Sequence, residues 1–297
     1  MKFFTYLGHN LFERDEDIHV GHTYLFKLFE LFILWQTAKH AFEWGYYTLK
    51  IQDVVLTLGI ANYIDISFMH GNQLPIYNAI AISLLCFLAF FRIGSRWTYL
   101  VAAILLHFQY VARFSIGEIP HSANLVGWSV LALGVGFLYS GKAEERMRLS
   151  LGLIFFFLGL GYTTAFFAKL IGTGLSWADG RHLWLWMAEK GTDIFSREGD
   201  FAYNALQQLA LNYTPAATVI LLFGWITELL GFLFWFKKSR PYIAVLLIGL
   251  HLGITMSMNI RFDAFVIQII LLGFPWPILM KKLDDVTFFR TYVLKFA

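Results

Sequence analysis

The sequence predicts an all-α protein, a polytopic membrane helical bundle of about eight transmembrane helices. Of its 297 residues, 58% are hydrophobic and only 14% are charged, which is about half the charged fraction of an ordinary soluble domain. The apolar residues also form blocks of roughly 17–25 residues, the length that a helix needs to cross a hydrocarbon core about 30 Å thick. This pattern argues against a disordered chain and against a soluble enzyme.

Each apolar block predicts one membrane-spanning helix, and polar or basic turns separate the blocks. We treat the last two blocks as separate spans, because one helix through Asn259, Arg261 and Asp263 would be far longer than a bilayer is thick. The eight predicted spans cover residues 23–44, 76–92, 97–113, 124–141, 149–170, 213–236, 241–260 and 262–280.

The termini and loops predict the orientation of the chain. Residues 1–22 lack the basic-then-apolar order of a signal peptide, so the first span is expected to act as the insertion signal. Most of the 23 Lys and Arg residues fall on one side when they are assigned to alternate loops, and basic loops stay in the cytoplasm. We therefore expect one transmembrane domain over residues 1–297, a cytoplasmic segment over 1–22, and both termini in the cytoplasm.

The two long connections, 45–75 and 171–212, are then expected outside. The second of them is predicted to contain two short helices. Residues 181–190 alternate apolar and polar side chains in a way that suits a helix lying at the membrane interface, with its tryptophans at headgroup level. A second helical stretch is expected at about 198–211.

Ionisable residues at membrane depth are candidate functional residues, since each costs about 2.5–3.5 kcal/mol or more to insert. Lys169 ends the fifth span, where it either snorkels to the interface or lies in an apolar pocket that favours a neutral amine able to act as a general base. Glu228 is expected to face the bundle, protonated or paired. His251 has either a structural or a functional role. His107 and Tyr110, which lie one turn apart, are expected to be structural when they are considered on their own.

The outer connection between the third and fourth spans contains Arg113, Glu118 and His121. These residues read as a solvated loop when considered alone. Beside Lys169, on the same predicted side, they would surround one outward-opening cavity with a base, an acid and an imidazole. Their convergence is a hypothesis of the sequence analysis.

Several other functions are not supported by the sequence. Motifs for nucleotide hydrolysis, serine hydrolysis and zincin chemistry are missing, and no dense Lys/Arg run suggests nucleic-acid binding. The single cysteine, Cys86, cannot form an intrachain disulfide or a Cys-based zinc cluster. His19 and His22 form only a weak local metal pattern, so no metal site is predicted.

The segment from Phe167 to Leu183, which contains Lys169-Leu and Trp177-Ala-Asp-Gly180, resembles the K-L…W-x-x-G pattern of the vitamin K-dependent γ-carboxylase family. The membrane part of that family is the horizontally transferred transmembrane (HTTM) domain. Tyr110-Val and residues 121–127 resemble its third span and the following histidine-containing loop. The helix with Glu228 and the span led by His251 also fall where the family has their counterparts, so the likeness covers roughly residues 20–285.

The resemblance implies a membrane enzyme that uses a reduced quinone, similar to vitamin K hydroquinone, entering from the bilayer. It implies that Lys169 is the catalytic base that deprotonates the hydroquinone, and that His121 takes part in the same outward-facing chemistry. The residues that it implies for cofactor binding are Trp177, Glu228, His251 and Tyr110. A catalytic chain would then be a carboxylase- or epoxidase-like lyase or oxidoreductase.

The resemblance also leaves a non-catalytic alternative open. Animal carboxylases have an asparagine three residues after the seventh-span histidine, where this chain has Ile254. The size is similar to compact bacterial HTTM proteins, including the sporulation-delaying protein B family, which helps to mature exported peptide toxins alongside a small partner subunit. The alternative is thus a maturation or immunity factor in the bacterial inner membrane that binds a peptide or a partner subunit. The expected partners are the lipid bilayer, an exported peptide and that subunit.

Overall fold

A computed structural model of the protein describes residues 2–13, 17–50, 56–57, 59–117 and 123–286. The regular structure of these ranges is helical throughout, which confirms the predicted all-α class. The α-helices are α1 (Lys2–Leu11), α2 (Val20–Lys50), α3 (Leu74–Phe90), α4 (Thr98–Phe114), α5 (Asn124–Tyr139), α6 (Ala143–Thr173), α7 (Arg181–Glu198), α8 (Ala205–Asn212), α9 (Thr214–Leu229), α10 (Arg240–Met258), α11 (Asp263–Gly273) and α12 (Trp276–Met280). Short 3₁₀ helices cover Gly59–Asn62, Ser67–Met69, Gly174–Ala178, Leu230–Trp235 and Lys281–Asp285.

Each of the eight predicted spans overlaps with helix, and the last two apolar blocks are separate helices as expected. Between them, Asn259 ends α10 with a left-handed φ of 53°. The expected continuous helix over 262–280 is interrupted, because α11 ends at Gly273 and α12 begins at Trp276. Pro275 explains the break, since proline lacks an N–H and disfavours a helical conformation at the residue before it.

Several apolar helices could span a membrane. Three segments of the described chain are long and apolar enough, namely Ala143–Ala178, Thr214–Trp235 and Arg240–Met258. The interrupted pair Asp263–Gly273 and Trp276–Asp285 is a fourth candidate if it counts as one span. Because α3, α4 and α5 are shorter apolar helices, the number of eight spans and the orientation of the termini stay predictions.

The chain divides into two compact units. The first unit comprises Met1–Ile154 and Pro275–Ala297, and the second comprises Phe155–Phe274. In the first unit α2 packs against α3, α4, α5 and α12, and α3 and α4 pack against each other. In the second unit α9 packs against α7, α8 and α10, and α10 also packs against α11.

The two faces of α3 differ in the size of their side chains. The outward residues are large and apolar, and they are Tyr77, Ile80, Leu84 and Phe87. The buried residues are Ala79, Ile82, Cys86 and Ala89, and all of them except Ile82 are small. Small side chains on the inner face let helices approach closely, while bulky apolar side chains outside suit contact with lipid.

Helices α7 and α8 confirm the two helices predicted in the long connection, although their bounds differ. α7 continues eight residues beyond the expected end, to Glu198, where Gly199 ends it with a left-handed φ of 77°. α8 begins only after Asn204, whose side chain accepts from the Gln207 N–H at 2.9 Å in a capping box. The Asn204 and Gln207 amides also donate to Met256 O at 2.7 Å and Ser257 O at 3.0 Å, which fixes α8 to the end of α10.

Helix α6 and the 3₁₀ helix that follows α9 approach each other closely at two glycines. A Cβ on Gly231 would lie 2.5 Å from the Tyr162 Cβ, and a Cβ on Gly159 would lie 3.1 Å from the Gly231 oxygen. The close approach therefore depends on the missing side chains. It brings the C-terminal half of α6 alongside the end of α9, where the candidate site residues lie.

Candidate functional site

Lys169 of α6 and Glu228 of α9 form an ion pair in the second unit. The Lys169 ammonium donates to both carboxylate oxygens of Glu228. The lysine side chain is 29% exposed and the glutamate side chain 12% exposed. Of the two states expected for Glu228, protonated or paired, the structure thus has the paired one.

Local register explains why these two side chains meet. Phe166 and Lys169 are three residues apart on α6, as are Trp225 and Glu228 on α9, so each pair shares one helix face. The Phe166 and Trp225 rings stack with centroids 4.6 Å apart. The Trp225 indole N–H also donates to the Phe166 oxygen at 3.3 Å. The two helices run antiparallel, because Thr163 and Phe166 of α6 contact Leu229 and Trp225 in turn. Lys169 and Glu228 therefore start on opposite sides of the aromatic contact, and the long lysine side chain extends back along α6 to reach the carboxylate.

Trp177 borders the ion pair. Its ring centroid lies 5.7 Å from the Lys169 Nζ, and the ring stacks on His182 at 5.2 Å and contacts Trp186 at 5.2 Å. Trp177 Nε1 and His182 Nδ1 are buried and have no hydrogen-bond partner among the described residues. Two polar atoms of the aromatic group beside the ammonium are thus buried without a partner among the described residues.

The sequence did not single out His182, although it lies in both the predicted interfacial helix over 181–190 and the segment from Phe167 to Leu183 that resembles the γ-carboxylase family. The signal was its position five residues after Trp177 and four before Trp186, at the start of α7. Trp177 precedes α7, so its contact with that helix could not be predicted from helical periodicity.

His251 lies in an aromatic environment in the second unit. It is 4% exposed, and its Nε2 shares a hydrogen bond with the Tyr162 hydroxyl. The imidazole centroid lies 4.9 Å from the Phe262 ring and 5.8 Å from the Phe265 ring. Its Nδ1 has no hydrogen-bond partner among the described residues, so one nitrogen has a structural role and the other is available.

Tyr110 belongs to the first unit, where it packs on aromatic side chains. Its ring lies 5.6 Å from Trp44 and stacks on Phe114 at 5.8 Å and on His107 at 6.5 Å. Arg113 donates to the Gly117 oxygen at 3.3 Å. The predicted residues Glu118 and His121 lie outside the described residues, so their convergence with Lys169 stays a prediction.

The described residues contain no group of three or more His, Cys, Asp or Glu side chains that could hold a metal ion. Aromatic rings and hydrogen-bonding atoms surround the Lys169–Glu228 pair instead. Trp177 offers a ring face, while Trp177 Nε1 and His182 Nδ1 offer hydrogen bonds. The pair of Lys169 and Glu228 can stabilise a negative charge and accept a proton.

Comparisons of the chain with known protein families, with curated proteins and with solved structures find no match. The fold therefore defines only a class, an all-helical protein with several apolar helices that could span a membrane. Within that class, the distinguishing feature is an ammonium–carboxylate pair bordered by tryptophan and histidine. The relation to the HTTM family stays a prediction.

Proposed function

We propose that the protein is an integral membrane protein of HTTM type that removes a proton from an acidic hydroxyl of an amphipathic substrate. A reduced quinone is the favoured substrate, ahead of a lipid or an exported peptide, and we place the reaction on the extracytoplasmic side. The observation that carries the proposal is the ion pair of Lys169 and Glu228 beneath the Trp177 ring.

The two paired residues would act as one base. Glu228 accepts the proton from the substrate hydroxyl, and the Lys169 ammonium remains beside the resulting oxygen anion. If the pair instead begins as amine and carboxylic acid, Lys169 takes the same proton and the final state is identical. One proton leaves the substrate in either case, and the pair gains one positive charge. A neutral lysine is thus not required, and the ammonium stabilises the anion in an environment of low dielectric.

The aromatic residues would orient the substrate. A bound hydroquinone would supply a planar ring and an acidic hydroxyl. Trp177 would stack on that ring, and the unpartnered His182 Nδ1 would bond one of its oxygens. These contacts hold the hydroxyl near Glu228 and favour a ring over an unbranched chain.

The test uses the full chain in nanodiscs with menadiol, a hydroquinone whose anion reacts with oxygen faster than its neutral form. We expect wild-type protein to accelerate menadiol oxidation, measured by absorbance. General-base catalysis contributes about 10²–10⁴-fold, so Lys169→Met and Glu228→Gln should each lose about a hundredfold or more of the acceleration. Lys190→Met is the matched control, because Lys190 pairs with Asp193 at 3.3 Å on α7.

Circular dichroism and gel filtration would establish that each variant is folded. Equal rates for the wild type and the two site variants would refute the proposal. Mass spectrometry of an extract of the purified protein provides an independent readout. A retained quinone supports the proposal, whereas a retained peptide with no quinone would favour the non-catalytic maturation or immunity factor instead.

A further inference from the structure

A second group of charged residues surrounds Glu30 in the first unit. Glu30 is fully buried, with 0% exposure. Arg92 donates to both of its oxygens at 2.8 Å, and the Lys27 Nζ lies 3.2 Å from Oε2. The Tyr99 hydroxyl donates to Oε1 at 3.1 Å. One carboxylate therefore has two cations and a phenol around it.

Arg146 adds a third cation to this cluster. The Phe137 ring contacts two guanidinium groups, with its centroid 4.6 Å from the Arg92 Cζ and 4.9 Å from the Arg146 Cζ. The charges of Arg92 and Glu30 both act on Arg146. Contact with the negative face of one aromatic ring allows two like charges to lie this close together.

The cluster has more positive than negative charge. Its only carboxylate among the described residues is Glu30, because Glu145 bonds Ser140 and Lys142, while Glu144 pairs with Arg148. The C-terminal carbonyls of α3 compensate part of the excess, since Phe90 O accepts from Lys27 at 2.9 Å and Ala89 O accepts from Arg92 at 3.0 Å. A helix end is equivalent to about half a negative charge, so the net excess is roughly 1.5 positive charges.

Two donors of the cluster are unused. The Arg92 Nε is buried and has no hydrogen-bond partner among the described residues. The Arg146 guanidinium has no carboxylate partner among the residues that the structure describes. The Arg146 side chain is only partly buried, so an anion can reach it from the surface and would offset the excess positive charge of the cluster.

We propose that Arg92 and Arg146, with Lys27 behind them, bind the phosphate group of an anionic phospholipid. The Arg146 guanidinium suits phosphate because its planar N–H pair matches two phosphate oxygens. Arg92, whose two terminal nitrogens bond Glu30, would add its Nε and its charge. The neighbouring connection exposes two apolar side chains, Ile93 at 56% and Trp97 at 48%. Tryptophan is typical of the headgroup level of a membrane, so a lipid is favoured over free phosphate as the source of the anion.

The experiment uses the full chain in nanodiscs of phosphatidylcholine and titrates phosphatidylglycerol, with native mass spectrometry to count the bound lipid. We expect Arg146→Gln to weaken phosphatidylglycerol binding about tenfold or more, because a charge-assisted bidentate contact is lost. Arg146→Lys keeps the charge but not the fork, and should show an intermediate loss. Lys142→Gln is the matched control, since this neighbouring lysine has an 80% exposed side chain and should bind within about twofold of the wild type.

A parallel titration with inorganic phosphate, in discs of phosphatidylcholine alone, distinguishes the two sources. Phosphatidylglycerol binding that depends on Arg146, with no comparable effect of inorganic phosphate, supports the lipid site. Binding of inorganic phosphate alone, with the same dependence on Arg146, would overturn the lipid as the source. Equal phosphatidylglycerol binding by the wild type and both Arg146 variants would overturn the site itself.

Discussion

Glu30→Gln tests the energetic role of the buried charge cluster. This substitution keeps the shape of the side chain and removes its negative charge. Arg92 then loses its charged partner and can keep only one of its two 2.8 Å hydrogen bonds, and Lys27 loses the carboxylate 3.2 Å away. The new amide can accept through one oxygen only, and its NH₂ group faces donors of Arg92 or Tyr99.

The expected effect is large because Glu30 has no exposure to solvent. Breaking a buried ion pair by removing one partner costs about 3–5 kcal/mol, since the remaining charges lose their compensation. This is a considerable fraction of the roughly 5–15 kcal/mol by which a protein domain is stable. We therefore expect the free energy of unfolding to fall by about 3–5 kcal/mol.

Reversible unfolding in mixed micelles, with increasing sodium dodecyl sulfate and detection by circular dichroism, would measure this change. Glu43→Gln on the same helix is the control, because the Glu43 side chain is 44% exposed and has only His40 as an ionic neighbour, at 3.9 Å. The control should unfold at the wild-type midpoint. A wild-type midpoint for Glu30→Gln as well would refute the reasoning that this carboxylate holds the cluster together.

Three further predictions concern the second unit. Tyr162→Phe removes the hydroxyl bonded to a buried histidine, and we expect a loss of about 1–3 kcal/mol in the free energy of unfolding; an unchanged value in detergent unfolding would contradict it. Gly231→Ala should destabilise by about 1–3 kcal/mol in the same assay because its Cβ has no room, whereas Gly161→Ala, with nothing within 4 Å, should not. The Arg181 side chain and N–H hold the pKa of Asp179 below its ordinary value of 3.8. The stability that the Asp179 carboxylate gives to the start of α7 is thus present above pH 3.8 and lost as pH falls through the lowered pKa. Amide hydrogen exchange should show this loss of protection for the wild type and not for Asp179→Asn.

The positions of the helices could be predicted from the sequence, but the number of them that span the membrane could not. An apolar block of about 20 residues has few alternatives to a helix in a membrane, and each predicted span overlaps with helix. The interruption at Pro275 could have been predicted from the proline itself, but the predicted span continued through it. The bounds of α7 and α8 depended on Gly199 and on the capping box of Asn204.

The candidate site could be predicted only in part. Lys169 and Glu228 stood out as ionisable residues at membrane depth, yet their contact joins residues 59 positions apart and depends on how α6 and α9 pack. The Glu30 cluster was missed for a similar reason. Arg92 contributed to the prediction of orientation, and Glu30 was passed over although it lies within the first predicted span. A carboxylate at that depth needs a partner, and its position alone does not identify which cation provides it.

The outward stripe of α3 also determines how the protein can be handled. Bulky apolar side chains at Tyr77, Ile80, Leu84 and Phe87 point away from the unit. In aqueous buffer such a stripe would associate with the same stripe on other molecules, and the chains would aggregate without unfolding. A detergent or lipid annulus is therefore a condition of working with the folded protein from the first extraction step onwards.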